Sequence, residues 1–268
     1  MNAHLVSLVA AACYLTAGFS IGLRLFAGPE ARRPPRWAGI ALGLAGSALH
    51  GLILYQGIVS AAGLSLDFFD AFSLVAWSVA LVLLLSSLTK PVENLGILLL
   101  PVAAVAIVLE LQFGTPGGDE RAPWGLSVHI LISLLAYSLL TLASVQAILL
   151  AIQDRHLHNR QPGGFVRALP PLQTMEALLF ELIGIGFFLL SLALVSGFVF
   201  LEDMFAQHLV HKTLLSILSW IVFAMLLWGR FRFGWRGRTA IRGTLVGFAF
   251  LMLAYFGSKA VLELILQR

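Results

Sequence analysis

The chain has 268 residues, of which 59% are hydrophobic and only 11% are charged, and its mean hydropathy is +0.94. This composition excludes an ordinary soluble domain and is typical of a protein embedded in a lipid bilayer. The net charge of +4 would favour nucleic-acid binding in a soluble protein, but here it follows from the charge bias that orients membrane proteins.

Eight apolar runs follow one another along the chain, each near the roughly 20 residues that a helix needs to cross a bilayer core of about 30 Å. Lipid offers no partner to a backbone N–H or C=O group, so runs of this length are predicted to be helices. We therefore predict an all-α, polytopic membrane protein in which residues 1–268 form a single integral membrane domain. The predicted spans are 4–25, 37–57, 68–88, 92–112, 124–152, 174–201, 212–229 and 240–266.

The positively charged residues alternate between the two sides of these spans. Thirteen lie in every second gap: Arg24, Arg32, Arg33, Arg36, Lys90, Arg155, Arg160, Arg167, Arg230, Arg232, Arg236, Arg238 and Arg242. The other four are Arg121, Lys212, Lys259 and Arg268. Since Lys and Arg accumulate in cytoplasmic loops, this split predicts that both termini lie outside. In a bacterial inner (plasma) membrane, that side is the periplasm.

The inner loop at 154–173 contains Gly163, Gly164, Pro170 and Pro171 and is predicted to be a hinge between a 1–153 half and a 174–268 half. The halves show no internal repeat, which disfavours an inverted-repeat transporter. The single cysteine, Cys13, excludes a disulfide within the chain, and no CxxCH motif is present for covalent haem attachment.

Two histidines inside predicted spans are the main candidate ligands. His50 lies about 13 residues beyond the inner end of the second span, or roughly 20 Å along a helix. His129 lies about one turn below the outer start of the fifth span, which gives it a similar depth. Two imidazoles at one depth on different helices are predicted to ligate a haem iron from opposite faces. The alternative is two neutral histidines that hydrogen-bond to a carbonyl or a serine across helices.

Four further histidines and a stripe of small residues are weaker candidates for a functional role. His208 and His211 have the i, i+3 spacing that places both rings on one helical face, as in a metal pair, a haem-edge contact or a wet interfacial helix. His156 and His158, in the basic inner loop, are expected to be solvated. The stripe Gly39, Gly43, Ser47 and Gly51 favours close helix packing beside His50.

Several segments resemble CcsA-type cytochrome c assembly proteins over about residues 124–266, following N-terminal helices in 1–123. They are the helix that begins at His129, the segment Ile185–Gly197, and Gly234-Trp-Arg-Gly-Arg238 followed by Ala254-Tyr-Phe-Gly257. The chain is most similar to the YpjD/HemX-like branch, where the resemblance extends over nearly the whole length. The resemblance implies haem handling at the outer face, with His129 matching an external histidine that serves as an axial ligand.

The chain departs from the family pattern at three places. The tryptophan-rich haem-binding motif should fall near 203–212, where this chain has the segment with His208 and His211. The in-membrane histidine that precedes Gly-Trp-Arg-Gly falls on Trp228, and the last external histidine falls near Ile265. His208 and His211 are thus an untested substitute for the missing motif.

Together these features predict an inner-membrane protein that binds or handles b-type haem non-covalently, linked to cytochrome c assembly or haem homeostasis. The candidate ligands are His129 and His50, with His208 and His211 as further haem contacts. Expected partners are haem, membrane lipids and other cytochrome c assembly or haem-synthesis proteins. We expect no catalysis, because no nucleophile–base or carboxylate pair is visible.

Two alternatives remain open. One is a HemX-like non-haem regulator or scaffold of haem synthesis that contacts partners through its basic loops. The other is a small-solute transporter with a path through Glu181 and the Lys259/Glu263 pair.

Overall fold

The computed structural model describes residues 3–26, 34–56, 68–114, 124–159, 169–200 and 210–257. These residues form eight α-helices, with a short 3₁₀ turn at Glu93–Leu95 before the fourth. The helices are α1 (Ala3–Phe26), α2 (Arg36–Leu54), α3 (Phe68–Thr89), α4 (Gly96–Phe113), α5 (Trp124–His158), α6 (Leu172–Phe200), α7 (Val210–Phe233) and α8 (Arg238–Met252).

The prediction of an all-helical, multi-pass membrane protein is confirmed. Seven described helical segments are long and apolar enough to cross a bilayer, one each for α1 to α7. Helix α8 has 15 residues and continues into a π-helical turn at Leu253–Gly257, after which the predicted last span lies outside the described residues. The eighth crossing and the location of the termini therefore stay predictions.

The described helices divide into two compact units, with α1–α4 in one unit and α5–α8 in the other. In the first unit α1 packs on α2 and α4, and α3 packs on the same two helices. In the second unit α5 and α7 each pack on α6 and α8. The predicted halves 1–153 and 174–268 are therefore wrong as units, because α5 packs with the helices that follow it.

The glycine stripe of α2 allows close contacts with its neighbours. A Cβ added to Gly46 would lie 3.1 Å from the Cβ of Cys13 and 3.2 Å from the carbonyl oxygen of Ala10, both on α1. A Cβ added to Gly43 would lie 2.6 Å from a methyl carbon of Leu84 on α3. Since small residues let backbones approach in lipid, helix packing accounts for the stripe.

One arginine ties the start of α2 to the turn between α3 and α4. The Arg36 guanidinium donates to the carbonyl oxygens of Ser87 and Lys90 at 2.6 and 3.0 Å. It also forms an ion pair with Glu93, with 2.9 Å between Nε and Oε1. Arg36 thus satisfies the Ser87 carbonyl in the last turn of α3 and adds a second donor to the Lys90 carbonyl just after it, which also accepts from the Val92 N–H.

A buried carboxylate performs the corresponding task in the second unit. Glu176, near the start of α6, has only 5% of its side chain exposed and accepts hydrogen bonds from Arg230 at 2.8 Å and Arg236 at 3.0 Å. It also accepts from the backbone N–H of Gly237, the residue before α8, at 3.3 Å. One carboxylate therefore joins the end of α7, the turn and the start of α8 to α6.

The α7–α8 turn itself depends on three glycines. Gly234 and Gly237 have φ angles of +66° and +52°, in the left-handed region where other residues are strained. Between them the Trp235 ring packs so closely on Gly229, in the last turns of α7, that a Cβ at Gly229 would overlap it. The segment Gly234-Trp-Arg-Gly-Arg238 is thus a tight helix connection held by Glu176.

We predict that Glu176→Gln destabilises the protein by about 2 kcal/mol, between the values for exposed and fully buried ion pairs, because two arginines lose their anionic partner. The measurement is thermal unfolding in detergent. The control is Asp154→Asn, which removes an exposed pair with Arg238 (3.5 Å) and should change stability by less than about 0.5 kcal/mol. Equal effects of the two substitutions would contradict the structural role of Glu176.

A second prediction concerns the turn. Gly229→Ala should displace the Trp235 indole and cost about 1–3 kcal/mol by overpacking. Gly184→Ala, in α6, is the matched control, since a Cβ there meets no atom within 4 Å and alanine favours a helix. The expected readout is a lower melting temperature for Gly229→Ala alone, together with a change in tryptophan fluorescence. Unaltered fluorescence and stability would show that the ring does not depend on this close approach.

Candidate functional site

A chain of hydrogen bonds links all four helices of the first unit. His50, on α2, is completely buried, and its Nε2 lies 2.9 Å from the hydroxyl oxygen of Ser73 on α3. The Ser73 hydroxyl donates to Oε2 of Glu110 on α4 at 2.5 Å. On the other side of the ring, the hydroxyl of Tyr14 on α1 lies 3.4 Å from Nδ1. A tyrosine, a histidine, a serine and a carboxylate thus form one continuous path.

The directions of these bonds determine the tautomer of His50. A serine hydroxyl has one hydrogen, and Ser73 gives it to Glu110, so its oxygen accepts from Nε2–H of His50. Nδ1 then carries the lone pair and accepts from the Tyr14 hydroxyl. Both ring nitrogens of His50 therefore have a partner, and a metal bond at either nitrogen requires the ring to leave Tyr14 or Ser73.

His129, on α5, has one nitrogen engaged within the second unit. Its Nδ1 lies 3.0 Å from the hydroxyl oxygen of Ser196 on α6. The Ser196 hydroxyl donates its own hydrogen to the carbonyl oxygen of Ala193 at 2.9 Å, so the ring must be the donor in the His129–Ser196 bond. The proton therefore sits on Nδ1, and the lone pair of His129 is on Nε2. The ring is half-buried.

This arrangement of His129 fits a haem ligand. Metal-binding histidines ordinarily donate their second ring N–H to a fixed acceptor, which orients the ring and makes the ligating nitrogen more basic. Ser196 is such an acceptor. His50 fits only after exchanging one of its two hydrogen bonds. The two histidines belong to different units, so the convergence of their rings stays a prediction.

Of the other histidines discussed in the sequence analysis, the structure describes His156, His158 and His211. His208 lies outside the described residues, and His211 is the exposed second residue of α7. His156 and His158 are exposed near the end of α5, where Nδ1 of His156 donates to the carbonyl oxygen of Ile152 at 2.9 Å. Among the described residues, no group of three or more His, Cys, Asp and Glu side chains could hold a metal ion.

The transporter alternative stays a prediction. Glu181 is exposed on α6. Lys259 and Glu263 lie outside the described residues.

The alternative given in the sequence analysis, a hydrogen bond from each histidine to a serine on another helix, agrees with both contacts. Sequence reasoning did not identify which serines these are, and it missed Glu110 and Tyr14. Glu110 carried a usable signal, because a carboxylate inside an apolar span always requires an explanation. Ser73, Ser196 and Tyr14 carried none, since serines and tyrosines are common in spans and only helix packing brings these to the rings.

The cytochrome c assembly protein model matches residues 41–266. The chain belongs to this family. The match includes all of α3–α8 and most of α2, so it contains both compact units in large part. The resemblance read from the sequence is thereby confirmed at the level of the family, whereas the HemX-like branch stays a prediction.

Individual family members are similar over much of their length. The inner membrane protein YpjD of Escherichia coli K12 is 36% identical over 178 residues, covering 65% of this chain and 67% of YpjD. A 28.8 kDa protein of Azospirillum brasilense is 33% identical over 89% of both chains. The cytochrome c biogenesis protein CcsA of Chlamydomonas reinhardtii is 26% identical over 74% of this chain and 58% of CcsA. No solved structure matches this chain.

The predicted localisation is also confirmed. Similarity to an inner membrane protein, together with seven described helices able to cross a bilayer, places this family member in the bacterial inner membrane as a multi-pass protein.

For the polar chain around His50, we predict that Ser73→Ala destabilises the first unit by about 1–3 kcal/mol, because it leaves a buried N–H and a carboxylate without their shared partner. Ser87→Ala is the matched control on the same helix, since its hydroxyl only bonds to the Leu83 carbonyl one turn earlier. Unfolding in detergent measures both variants. If Ser73→Ala is as stable as Ser87→Ala, the hydrogen bonds around His50 contribute nothing to the stability of the fold.

Proposed function

We propose that this cytochrome c assembly family member binds b-type haem non-covalently in the inner membrane, in support of cytochrome c assembly or haem homeostasis. Family membership supports the general role, since relatives carry the name cytochrome c biogenesis protein CcsA. The observation that carries the haem assignment is the His129–Ser196 hydrogen bond, which leaves Nε2 of His129 as a directed lone pair. The proposal assigns the chain binding and no catalytic step.

Haem supplies an iron with axial positions that imidazole nitrogens fill. His129 is the first candidate ligand, and Ser196 would keep its ring oriented. His50 remains a candidate second ligand, which must give up Ser73 or Tyr14 to reach an iron. His208 and His211 remain candidates for further contacts at the same face of the membrane. The proposed partners are haem-synthesis or cytochrome c assembly proteins that deliver or receive the haem.

The experiment is the visible absorption spectrum of protein purified from haem-replete cells, compared among histidine variants. We expect a Soret band in the unsubstituted protein and its loss or shift in His129→Ala. His156→Ala is the matched control, because it removes an exposed histidine from the same helix. Ser196→Ala should weaken haem retention about 10- to 100-fold, as loss of an outer-sphere partner does at metal sites.

The variants of the first unit separate two roles for His50. If His50 ligates iron, His50→Ala changes the spectrum, while Ser73→Ala, which releases Nε2, retains haem. If His50 only holds the four helices together, both substitutions lower stability and neither alters the bound haem spectrum. Unchanged spectra in both His129→Ala and His50→Ala would refute the ligand assignment.

A non-haem regulator or scaffold, as in HemX-like relatives, is the second candidate. The observation that favours it is that both nitrogens of His50 are engaged in hydrogen bonds within the protein. This function predicts no Soret band, even after haem is added to the purified protein.

A further inference from the structure

Helix α5 extends well beyond the thickness of the bilayer core. Its 35 residues span about 52 Å, whereas the hydrocarbon region is about 30 Å thick. The last turns of α5, from Asp154 to His158, therefore reach the level of the lipid headgroups. Helix α8 packs on α5 and begins at Arg238, which pairs with Asp154. This end of the second unit is thus a membrane–water interface.

A cleft of about 340 Å³ opens there between α5 and α8. Its volume is at the lower end of the range for small-ligand sites. The lining side chains are mostly basic or polar: Arg155, His158 and Asn159 near the end of α5, and Arg238 and Arg242 at the start of α8. Asp154, Ala151 and Ile241 complete the lining. Ala151 lies about one turn before Arg155 in α5, and Ile241 is next to Arg242 in α8.

The charge of the cleft is unbalanced. Asp154 is the only carboxylate among the lining residues, which include three arginines. Its contact with Arg238 is long, at 3.5 Å, and the two side chains are 37% and 68% exposed. Three arginines and one aspartate give the lining a formal net charge of +2.

Membrane orientation explains how many arginines lie on this side, but not why these three converge. Arg230 and Arg236, from the same stretch, are held by Glu176, and Arg232 lies outside the cleft near the Phe233 ring. Arg155 lies more than 80 residues before Arg238 in the sequence, and only the packing of α5 on α8 brings them to one cleft. The convergence is a property of the fold.

We propose that this cleft binds a phosphate group, the charged part of an anionic phospholipid headgroup or of a soluble phosphate ester. Guanidinium groups present planar pairs of N–H donors that match phosphate oxygens. Basic pockets between transmembrane helices are a recurrent site for phospholipid headgroups. Ala151 and Ile241 add apolar surface beside the arginines, which the glycerol and first methylene groups of a lipid would contact.

The test compares lipid binding to delipidated protein by native mass spectrometry. The probes are dioleoylphosphatidylglycerol, which is anionic, and dioleoylphosphatidylcholine, which has no net charge. We expect preferential binding of phosphatidylglycerol. The double variant Arg238→Gln/Arg242→Gln should reduce this preference about thirtyfold, since each interfacial arginine contributes about fivefold. Arg232→Gln, which removes an arginine outside the cleft, is the matched control and should keep the preference.

Asp154→Asn distinguishes binding from misfolding. Removing the one carboxylate of the cleft should strengthen phosphatidylglycerol binding several-fold, a gain that a damaged fold cannot produce. A second arm titrates glycerol 3-phosphate into the same protein. Binding of this probe without a lipid preference would identify a soluble phosphate ester as the ligand. Two results would overturn the proposal. One is a preference for phosphatidylglycerol that is equally strong in Arg238→Gln/Arg242→Gln and in Arg232→Gln. The other is an unsubstituted protein that binds neither phosphatidylglycerol nor glycerol 3-phosphate.

Discussion

The buried carboxylate of Glu176 is the interaction on which the second unit depends. It neutralises two arginines and accepts from a backbone N–H, so it holds the end of α7, the connecting turn and the start of α8 on α6. The Glu176 side chain is only 5% exposed, so its charge must be paired within the protein. With the turn held in this way, α8 packs on α5 and the basic cleft between them can form.

The same constraint explains the polar residues of the first unit. A histidine inside a span costs free energy unless both ring nitrogens form hydrogen bonds. The nitrogens of His50 bond to Tyr14 and Ser73, and the Ser73 hydroxyl donates in turn to Glu110. Four helices thereby share one polar network. His129 differs, because Ser196 satisfies one nitrogen only. The two units thus treat their buried or half-buried histidines in opposite ways, and this difference guides the haem experiment.

The sequence predicts the helices well because few backbone structures are stable in lipid, and an apolar run of about 20 residues there forms a membrane-spanning α-helix. It predicts helix ends less well: α5 continues through charged residues to His158, since nothing in that stretch breaks a helix. Neither the His50–Ser73–Glu110 chain nor the pairing of Glu176 could be predicted, because both join helices by side chains far apart in sequence. The tautomer of His129 likewise depends on a serine 67 positions away.

The two left-handed glycines beside Trp235 have a consequence for how relatives are compared. Gly234 and Gly237 are required by backbone geometry, and the arginine between them is occupied by an internal carboxylate. The pentapeptide that makes this chain recognisable is therefore an architectural signature. Two proteins that share it share a corner between helices, and their ligands must be learned from residues elsewhere. Grouping sequences by that corner alone would merge proteins that share a scaffold, whatever each of them binds.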